Sequence, residues 1–233
     1  MKVFFYIVLA LVVTCLYYAY MMYRKVHISK QLVSVAHAFQ IPSTDYTTSI
    51  LVLGDSTAVG VGATNAQDSM AGLIAKKVSA TYLENQGVSG AEVRDLPSQI
   101  AKIHQKEYSY IVIQIGGNDI VARHNPQEEA DRLAIVIAQL PKTQHLIVMS
   151  CGDVGTATLF PWFVRPYFTS LTLKYHNTFT KAVTEHGGTY INLYNAPDTD
   201  PFILHPDIYL ASDEFHPSSA GYKNWFEKVV AVL

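Results

Sequence analysis

The sequence predicts an α/β fold in which helices cover both faces of a mainly parallel five-stranded sheet, preceded by a membrane-spanning helix. Three observations support this prediction: an uncharged N-terminal run, an alternation of short apolar runs with helix-like stretches, and glycine and polar residues directly after those runs. Hydrophobic residues make up 49% of the 233 residues and charged residues only 15%, which excludes a disordered chain.

Residues 1–25 are expected to form an N-terminal membrane anchor. The run from Val3 to Tyr23 contains no charged residue, and a helix of this length spans the roughly 30 Å hydrocarbon core of a bilayer. A cleaved signal peptide and a buried core helix are the alternatives, although the apolar part of a signal peptide is typically only about 7–15 residues long. Tyrosines cluster toward the end of the run, as in the aromatic belt of a membrane interface.

The numbers of basic residues before and after this run differ, and the difference predicts the side of the membrane on which the body of the protein lies. Arg24, Lys25 and Lys30 follow it, whereas Lys2 and the amino terminus precede it. The positive-inside rule therefore favours a cytoplasmic body by a small margin, and the side stays open. The oligomeric state stays open as well.

The rest of the chain divides into a connector, residues 26–48, and one domain, residues 49–233. A turn cluster at 42–45 marks the connector. The predicted strands are 50–53, 81–83, 110–115, 145–149 and 190–193, and the predicted helices are 68–80, 91–105, 127–140, 169–186 and 218–230. Because continuous apolar strands are buried on both faces, this alternation predicts a parallel sheet covered by helices on both sides.

The charge balance and the two cysteines exclude several classes of partner. With 17 basic and 19 acidic residues the net charge is -2, so no nucleic-acid partner is expected. Cys15 lies in the N-terminal run and Cys151 in the body, which predicts neither a disulfide framework nor a cysteine metal site. No grouping of ligand residues has metal spacing and no loop matches a nucleotide motif, so neither a metal nor a cofactor is expected.

Polar residues and glycines follow the predicted strands at the edge of the sheet where ligands bind in folds of this kind. These segments are Gly54-Asp55-Ser56-Thr57, Asn85-Gln86-Gly87-Val88-Ser89-Gly90, Gly116-Gly117-Asn118-Asp119 and Ser150-Cys151-Gly152-Asp153, and the C-terminal region adds Asp213-Glu214-Phe215-His216-Pro217. We therefore expect the chemistry at this edge.

Ser56 is the candidate nucleophile, and Asp213 with His216 can activate it. A serine hydroxyl needs a base to take its proton and an acid to orient that base. A spacing of three residues predicts that Asp213 and His216 share one side of a helical turn, although a solvated loop pair shows the same spacing. The competing pair His205 and Asp207 lacks this spacing.

Three groups are candidate donors to the oxyanion of an acyl-transfer intermediate. They are the backbone N–H of Ser56, the backbone at Gly90 and the side-chain amide of Asn118. Taken one at a time, each glycine is equally explained by ordinary turn geometry.

Four blocks resemble those of the SGNH hydrolases, also called the GDSL lipase/esterase superfamily. The blocks are Gly54-Asp55-Ser56, Gly87-Val88-Ser89-Gly90, Gly116-Gly117-Asn118-Asp119 and Asp213-Glu214-Phe215-His216-Pro217. They occur in family order across Gly54–Pro217, which is essentially the whole body of the chain. Any one block is a weak signal, and the set is a specific one.

The resemblance implies a three-layer α/β/α sandwich of flavodoxin-like topology that hydrolyses esters. It implies that Ser56 is the nucleophile, that His216 is the base oriented by Asp213, and that Gly90 and Asn118 join the Ser56 N–H as oxyanion donors. One departure is Thr57, which stands where many members have leucine. Because it follows the nucleophile rather than performing chemistry, we expect little consequence.

The segment after the fourth predicted strand is strongly apolar for a connection. Its residues Leu159, Phe160, Trp162 and Phe163 are candidates for the wall of an acyl-binding pocket with a membrane-facing lip. The alternative is a loop that is folded onto the core.

The leading hypothesis is a serine esterase or lipase-like acyl hydrolase, possible substrates being small-molecule or lipid esters or thioesters, as in a lysophospholipase. Carbohydrate O-deacetylation or acyl transfer to a sugar is the alternative chemistry. A non-catalytic binding domain is disfavoured, because a binder has no use for the full set of five site residues.

Overall fold

A five-stranded parallel sheet forms the centre of the protein, whose residues 2–233 are described by a computed structural model. The strands are β1 (Ser49–Gly54), β2 (Tyr82–Asn85), β3 (Glu107–Gln114), β4 (Lys142–Met149) and β5 (Thr189–Ile191). Their order is β2-β1-β3-β4-β5, and every neighbouring pair is parallel. The predicted fold class is confirmed. In this order the connections reverse direction between β1 and β3, and open α/β sheets bind ligands at such a switch point.

Helices cover both faces of the sheet. They are α1 (Lys2–Val35), α2 (Ser56–Val59), α3 (Met70–Lys77), α4 (Leu96–Ile100), α5 (Gly117–Ala122), α6 (Pro126–Ile137), α7 (Arg165–Glu185), α8 (Pro201–Leu204), α9 (Pro206–Tyr209) and α10 (Ser219–Val229). The core accordingly has two halves. One lies between the sheet and α4 to α7, and the other lies between the sheet and α3, α8 and α10.

Strand β1 shows why continuous apolar runs form the middle of this sheet. All six of its residues are buried, and alternate side chains enter opposite halves of the core. Leu51 and Leu53 face one half, whereas Ile50 and Val52 face the other. Each side chain is fully buried, which stabilises the fold by about 1.5–3 kcal/mol per residue.

The predicted helix at 91–105 is shorter than expected. A 3-10 turn at Val93–Asp95 leads into α4, which ends at Ile100. The buried carboxylate of Glu84 then accepts a hydrogen bond from the backbone N–H of His104 at 3.2 Å and contacts its ring Nδ1 at 2.8 Å. We attribute the early end of the helix to this contact with Glu84, which is distant along the chain and which the local sequence does not predict.

Helix α1 extends beyond the uncharged run that predicts it. It begins at Lys2, passes through that run and ends at Val35, within the stretch expected to be a connector. Over residues 2–233, it is the helix long and apolar enough to cross a membrane, a property that signal sequences share. The chain then reaches the sheet, where Ile41 and Leu83 form an antiparallel bridge.

Candidate active site

Ser56, His216 and Asp213 form a hydrogen-bonded chain at the carboxyl end of the sheet. Nε2 of His216 lies 2.8 Å from Oγ of Ser56, and Nδ1 of His216 lies 2.6 Å from Oδ2 of Asp213. Ser56 is 7% exposed, His216 is 5% exposed and Asp213 is fully buried, so these three side chains are shielded from bulk water. A buried serine, histidine and carboxylate in this order can carry out nucleophilic acyl transfer.

A tight turn between β1 and α2 presents Ser56. Gly54 has a φ of +137°, and a Cβ at that position would lie 1.8 Å from the carbonyl oxygen of Gln114, so only glycine fits. Asp55 caps α2, because its Oδ1 accepts hydrogen bonds from the backbone N–H of Thr57 at 2.8 Å and from its hydroxyl at 2.7 Å. The N–H of Ser56 is the first of the helix and therefore has no acceptor within it.

A closed turn, rather than a helical one, brings Asp213 and His216 together. Oδ1 of Asp213 accepts the backbone N–H groups of Phe215 at 3.1 Å and His216 at 3.0 Å. Glu214 between them has a φ of +57°, in the left-handed region. The prediction of a helical turn is wrong, and the side-chain cap of Asp213 on its own backbone explains the observed pairing.

Electrostatics favour an ionised Asp213. Burial alone would raise the pKa of this carboxyl, but the hydrogen bond and the charge of His216, with the two backbone N–H groups, hold the pKa below its ordinary value. An ionised Asp213 accepts the Nδ1–H of His216 and leaves Nε2 free to accept the proton of Ser56. The opposite holds for Asp55, whose burial raises its pKa despite the hydrogen bonds from Thr57.

Asn118 contacts Ala91, the residue that follows Gly90. The side-chain amide of Asn118 donates to the carbonyl of Ala91 at 2.9 Å, which uses one of its two N–H bonds. Asn118 and Ser56 line the same cavity. Gly90 is exposed with a φ of +85°, a backbone conformation that glycine adopts without cost.

The cavity beside Ser56 extends between the ends of β1, β3 and β4 and the segments α8 and α10. Its apolar lining consists of Val154, Ala157, Leu193, Phe202, Leu210, Phe215 and Trp225. Asp153 and Asp200 also line it, and burial raises the pKa of both carboxyls. The cavity thus offers an apolar surface together with two carboxyl groups that can form hydrogen bonds.

Comparison with known proteins identifies the family. The model of the GDSL-like lipase/acylhydrolase family matches residues 52–223. The chain belongs to this family. Its members and structural neighbours include ester-bond hydrolases. A GDSL-like esterase of Mycobacterium tuberculosis is 27% identical over 183 residues, which cover 74% of this chain. The chain spans 57% of that relative's length.

Solved structures share the GDSL fold with this chain. A phospholipase A1 from Streptomyces albidoflavus superposes with a TM-score of 0.60 at 19% identity, covering 79% of this chain and 98% of that one. A catalytic mutant of an acetylxylan esterase from Geobacillus stearothermophilus gives 0.58 at 19% identity, covering 79% and 93%. These two enzymes are named for very different substrates, so the fold alone does not choose the substrate.

The four residues predicted as a pocket wall do not line the cavity of this GDSL family member. Phe160 is buried against Phe168 and Phe215, with ring centroids 4.5 and 6.1 Å away. The backbone N–H of Leu159 donates to the carbonyl of Glu214 at 3.3 Å. Trp162 and Phe163 instead project outward with exposed fractions of 71% and 59%. The segment is therefore folded onto the core at its start and exposed at its tip.

The other candidate side chains from the sequence are not part of the hydrogen-bonded set of Ser56, His216 and Asp213. His205 is exposed at the junction of α8 and α9, and Asp207 is exposed two residues later. Cys151 does line the cavity, but burial raises the pKa of its thiol to about 12, so it is not a thiolate nucleophile.

A cluster of carboxylates around His124 was not apparent in the sequence. Ligand atoms of Glu92, Asp119 and His124 lie within 4.8 Å of one another, a geometry compatible with a metal ion. Nη2 of Arg94 already lies 2.7 Å from Oε2 of Glu92. Oε1 of Glu129 lies 3.6 Å from Nε of Arg132 and also 3.6 Å from Nδ1 of His124, so one carboxylate oxygen faces both side chains. We interpret the cluster as an ion-pair network. The spacing of its members along the chain follows no metal motif, so only the folded structure shows it.

Proposed function

We propose that the protein is a serine esterase that cleaves carboxylic esters or thioesters through an acyl-enzyme on Ser56. The observation that carries the proposal is the buried hydrogen-bonded chain from Ser56 through His216 to Asp213 at the switch point of the sheet. A binding module would not need a nucleophile, a base and an orienting acid linked by hydrogen bonds in this order.

The geometry supports a two-step mechanism. Oγ of Ser56 attacks the carbonyl carbon while its proton passes to Nε2 of His216, and ionised Asp213 stabilises the resulting imidazolium. The Ser56 N–H, the free N–H of the Asn118 amide and the backbone N–H at Gly90 are the proposed donors to the oxyanion. Collapse expels the alcohol or thiol, which takes the proton from His216. Water then attacks the acyl-enzyme by the same route and releases the acid.

The lining of the cavity supports a substrate with an apolar acyl group. Phe202, Leu210 and Trp225 give it an apolar wall, and proposed anchoring through α1 would keep the enzyme where lipid esters are abundant. We therefore favour a lipid ester, as in a lysophospholipase. A carbohydrate O-acetyl ester is the second candidate, because the carboxyls of Asp153 and Asp200 can accept hydrogen bonds from sugar hydroxyls.

Labelling with a fluorophosphonate probe tests the nucleophile. The wild type should carry the label on Ser56, and Ser56→Ala should abolish both labelling and ester cleavage. Ser89→Ala, in the neighbouring second block, is the matched control and should keep both. Labelling that persists in Ser56→Ala would exclude the proposed nucleophile.

The anchoring proposal needs its own test. The purified membrane-extracted protein should retain residues 2–35 by mass spectrometry and should require detergent for release. A mature chain that begins near Ala36-His37-Ala38, which imitates a cleavage site, would instead identify the segment as a signal peptide.

A further inference from the structure

Helix α1 packs on the catalytic domain from the last part of the uncharged run onward. Along the helix, the residues Tyr18, Met21, Lys25, Ile28 and Leu32 are half-buried, whereas most of their neighbours are exposed. Spacings of three and four residues place these five on one face. This face of the helix is therefore the one that contacts the domain.

Lys25 joins this helix to the turn that carries the catalytic acid and base. Its Nζ lies 2.6 Å from Oε2 of Glu214 and donates to the carbonyl of Thr158 at 2.7 Å. The hydroxyl of Thr158 donates to the same carboxylate. Glu214 sits between Asp213 and His216. The Lys25–Glu214 ion pair and the hydrogen bonds of Thr158 therefore join α1, the catalytic turn and the aromatic segment, residues 158–163.

The tip of the aromatic segment lies against the uncharged part of α1. The rings of Phe163 and Tyr18 contact each other edge to face, with centroids 6.2 Å apart. Tyr18 lies five residues before Tyr23, where the uncharged run ends, which is about 7 Å along the helix axis. If the run spans the bilayer, Phe163 and the neighbouring Trp162 reach the interfacial layer, where aromatic rings partition well.

A groove lies beside this ion pair and borders the catalytic cavity at Leu210. It is lined by Thr158, Pro206, Asp207, Leu210, Ala211, Ser212 and Glu214. Leu210 lines both the groove and the cavity beside Ser56. Exposed Ile203, Leu204 and Ile208 of α8 and α9 add apolar surface on the same segment.

We propose that a lipid bilayer covers the surface formed by Tyr18, Trp162 and Phe163, and that lipid esters enter the cavity from it along the groove at Leu210. Exposed Arg24 directly follows the uncharged run, and exposed Lys30 lies further along the same helix; both complement anionic headgroups. The proposal deepens the esterase function and rests on it only for the choice of substrate. The seating on the bilayer is a separate physical claim.

Fluorescence quenching tests the seating without using catalysis. The full-length protein is reconstituted into phosphatidylcholine vesicles containing about one fifth phosphatidylglycerol, with acyl chains brominated near the headgroup. We expect these lipids to quench a component of the tryptophan emission that Trp162→Phe removes. Emission of Trp162 that is unquenched by the lipids and accessible to iodide would overturn the proposal. The proposal would also be overturned if, in detergent, Trp162 became protected from iodide as the protein concentration rose. That result would mean that a second copy of the protein covers this surface.

Two substrates separate the surface from the catalytic function. The double variant Trp162→Ala/Phe163→Ala should cleave a lysophospholipid embedded in the vesicles roughly tenfold more slowly and a water-soluble short-chain ester at the wild-type rate. Ile135→Ala, at another exposed apolar residue, is the matched control and should change neither rate. Equal rates on the embedded lipid for wild type and double variant would overturn the entry route. Ser56→Ala should lose cleavage of both the embedded lysophospholipid and the soluble ester, and that result tests the esterase proposal rather than the entry route.

Discussion

The side-chain amide of Asn118 donates a hydrogen bond to the carbonyl oxygen of Ala91 at 2.9 Å. This bond fixes the plane of the amide and leaves its second N–H free for the cavity. Asn118→Ala should lower kcat by roughly 100-fold with little change in KM, because an oxyanion donor acts mainly in the transition state. Steady-state kinetics on a soluble ester measure this. A rise in KM at unchanged kcat would contradict the assigned role.

Replacing Asp213 with asparagine should leave His216 in place but change its tautomer. The asparagine oxygen can still cap the N–H groups of Phe215 and His216, but its amide favours the wrong tautomer of the imidazole. We expect kcat to fall by about 10⁴-fold. Circular dichroism should show an intact fold, and a variant that retains most of its activity would remove Asp213 from the mechanism.

The two candidate histidines should behave differently. His216→Ala removes the group 2.8 Å from the nucleophile and should abolish ester cleavage. His205→Ala changes an exposed residue between two short helices and should retain most of the activity. Parallel assays of the two variants with one ester decide the matter, and equal losses would require a different base.

The buried Asp119 should make stability depend on pH. Burial, with the charges of Glu129 and Glu92, raises its pKa from 3.8 to about 7. The folded state therefore holds a proton that the unfolded state has lost, so the unfolding free energy falls as pH rises from 3.8 to about 7. Asp119→Asn keeps an acceptor for the N–H of Val93 and removes this contribution.

Thermal unfolding in detergent at about pH 5 and about pH 8 measures the effect of Asp119. The asparagine variant should gain stability relative to the wild type as pH rises. A constant difference between the two proteins at both pH values would mean that Asp119 does not titrate in this range.

Acyl-chain preference should depend on the cavity and not on the exposed aromatic rings. Each methylene buried against Phe202 or Leu210 contributes about 0.8 kcal/mol, or roughly fourfold per carbon until the cavity is full. On soluble esters, medium chains should therefore be preferred over acetyl. Leu210→Ala should alter the preferred length, whereas Trp162→Ala should leave it unchanged. A strict preference for acetyl groups on sugars would favour carbohydrate deacetylation instead.

Much of the fold follows from the sequence because its signals are local and strong. The apolar run at 50–53 and the glycine after it predict β1 and its turn, because a short continuous apolar run fits a strand that is buried on both faces. The order of the four blocks also indicates which side chains meet, as the chain of contacts from Ser56 to Asp213 illustrates.

What the sequence does not show depends on contacts between distant residues. The shortening of the helix at 91–105 follows from Glu84, about twenty residues away along the chain from its partner His104. The outward projection of Trp162 depends on which part of its segment is folded onto Phe168 and Phe215, and apolar composition alone cannot distinguish the two halves. Thr57, expected to matter little, proves to be a hydrogen-bond donor to the buried Asp55.

The 160 residues that separate Ser56 from His216 also constrain when the protein can first act. During synthesis the nucleophile emerges early, but its base follows only after all five strands have been made. A parallel sheet with such distant pairings is expected to fold slowly. An inserted chain would therefore lie at the bilayer without hydrolytic activity until the domain is complete, and recovery of activity after denaturation should report the last step of folding rather than an early one.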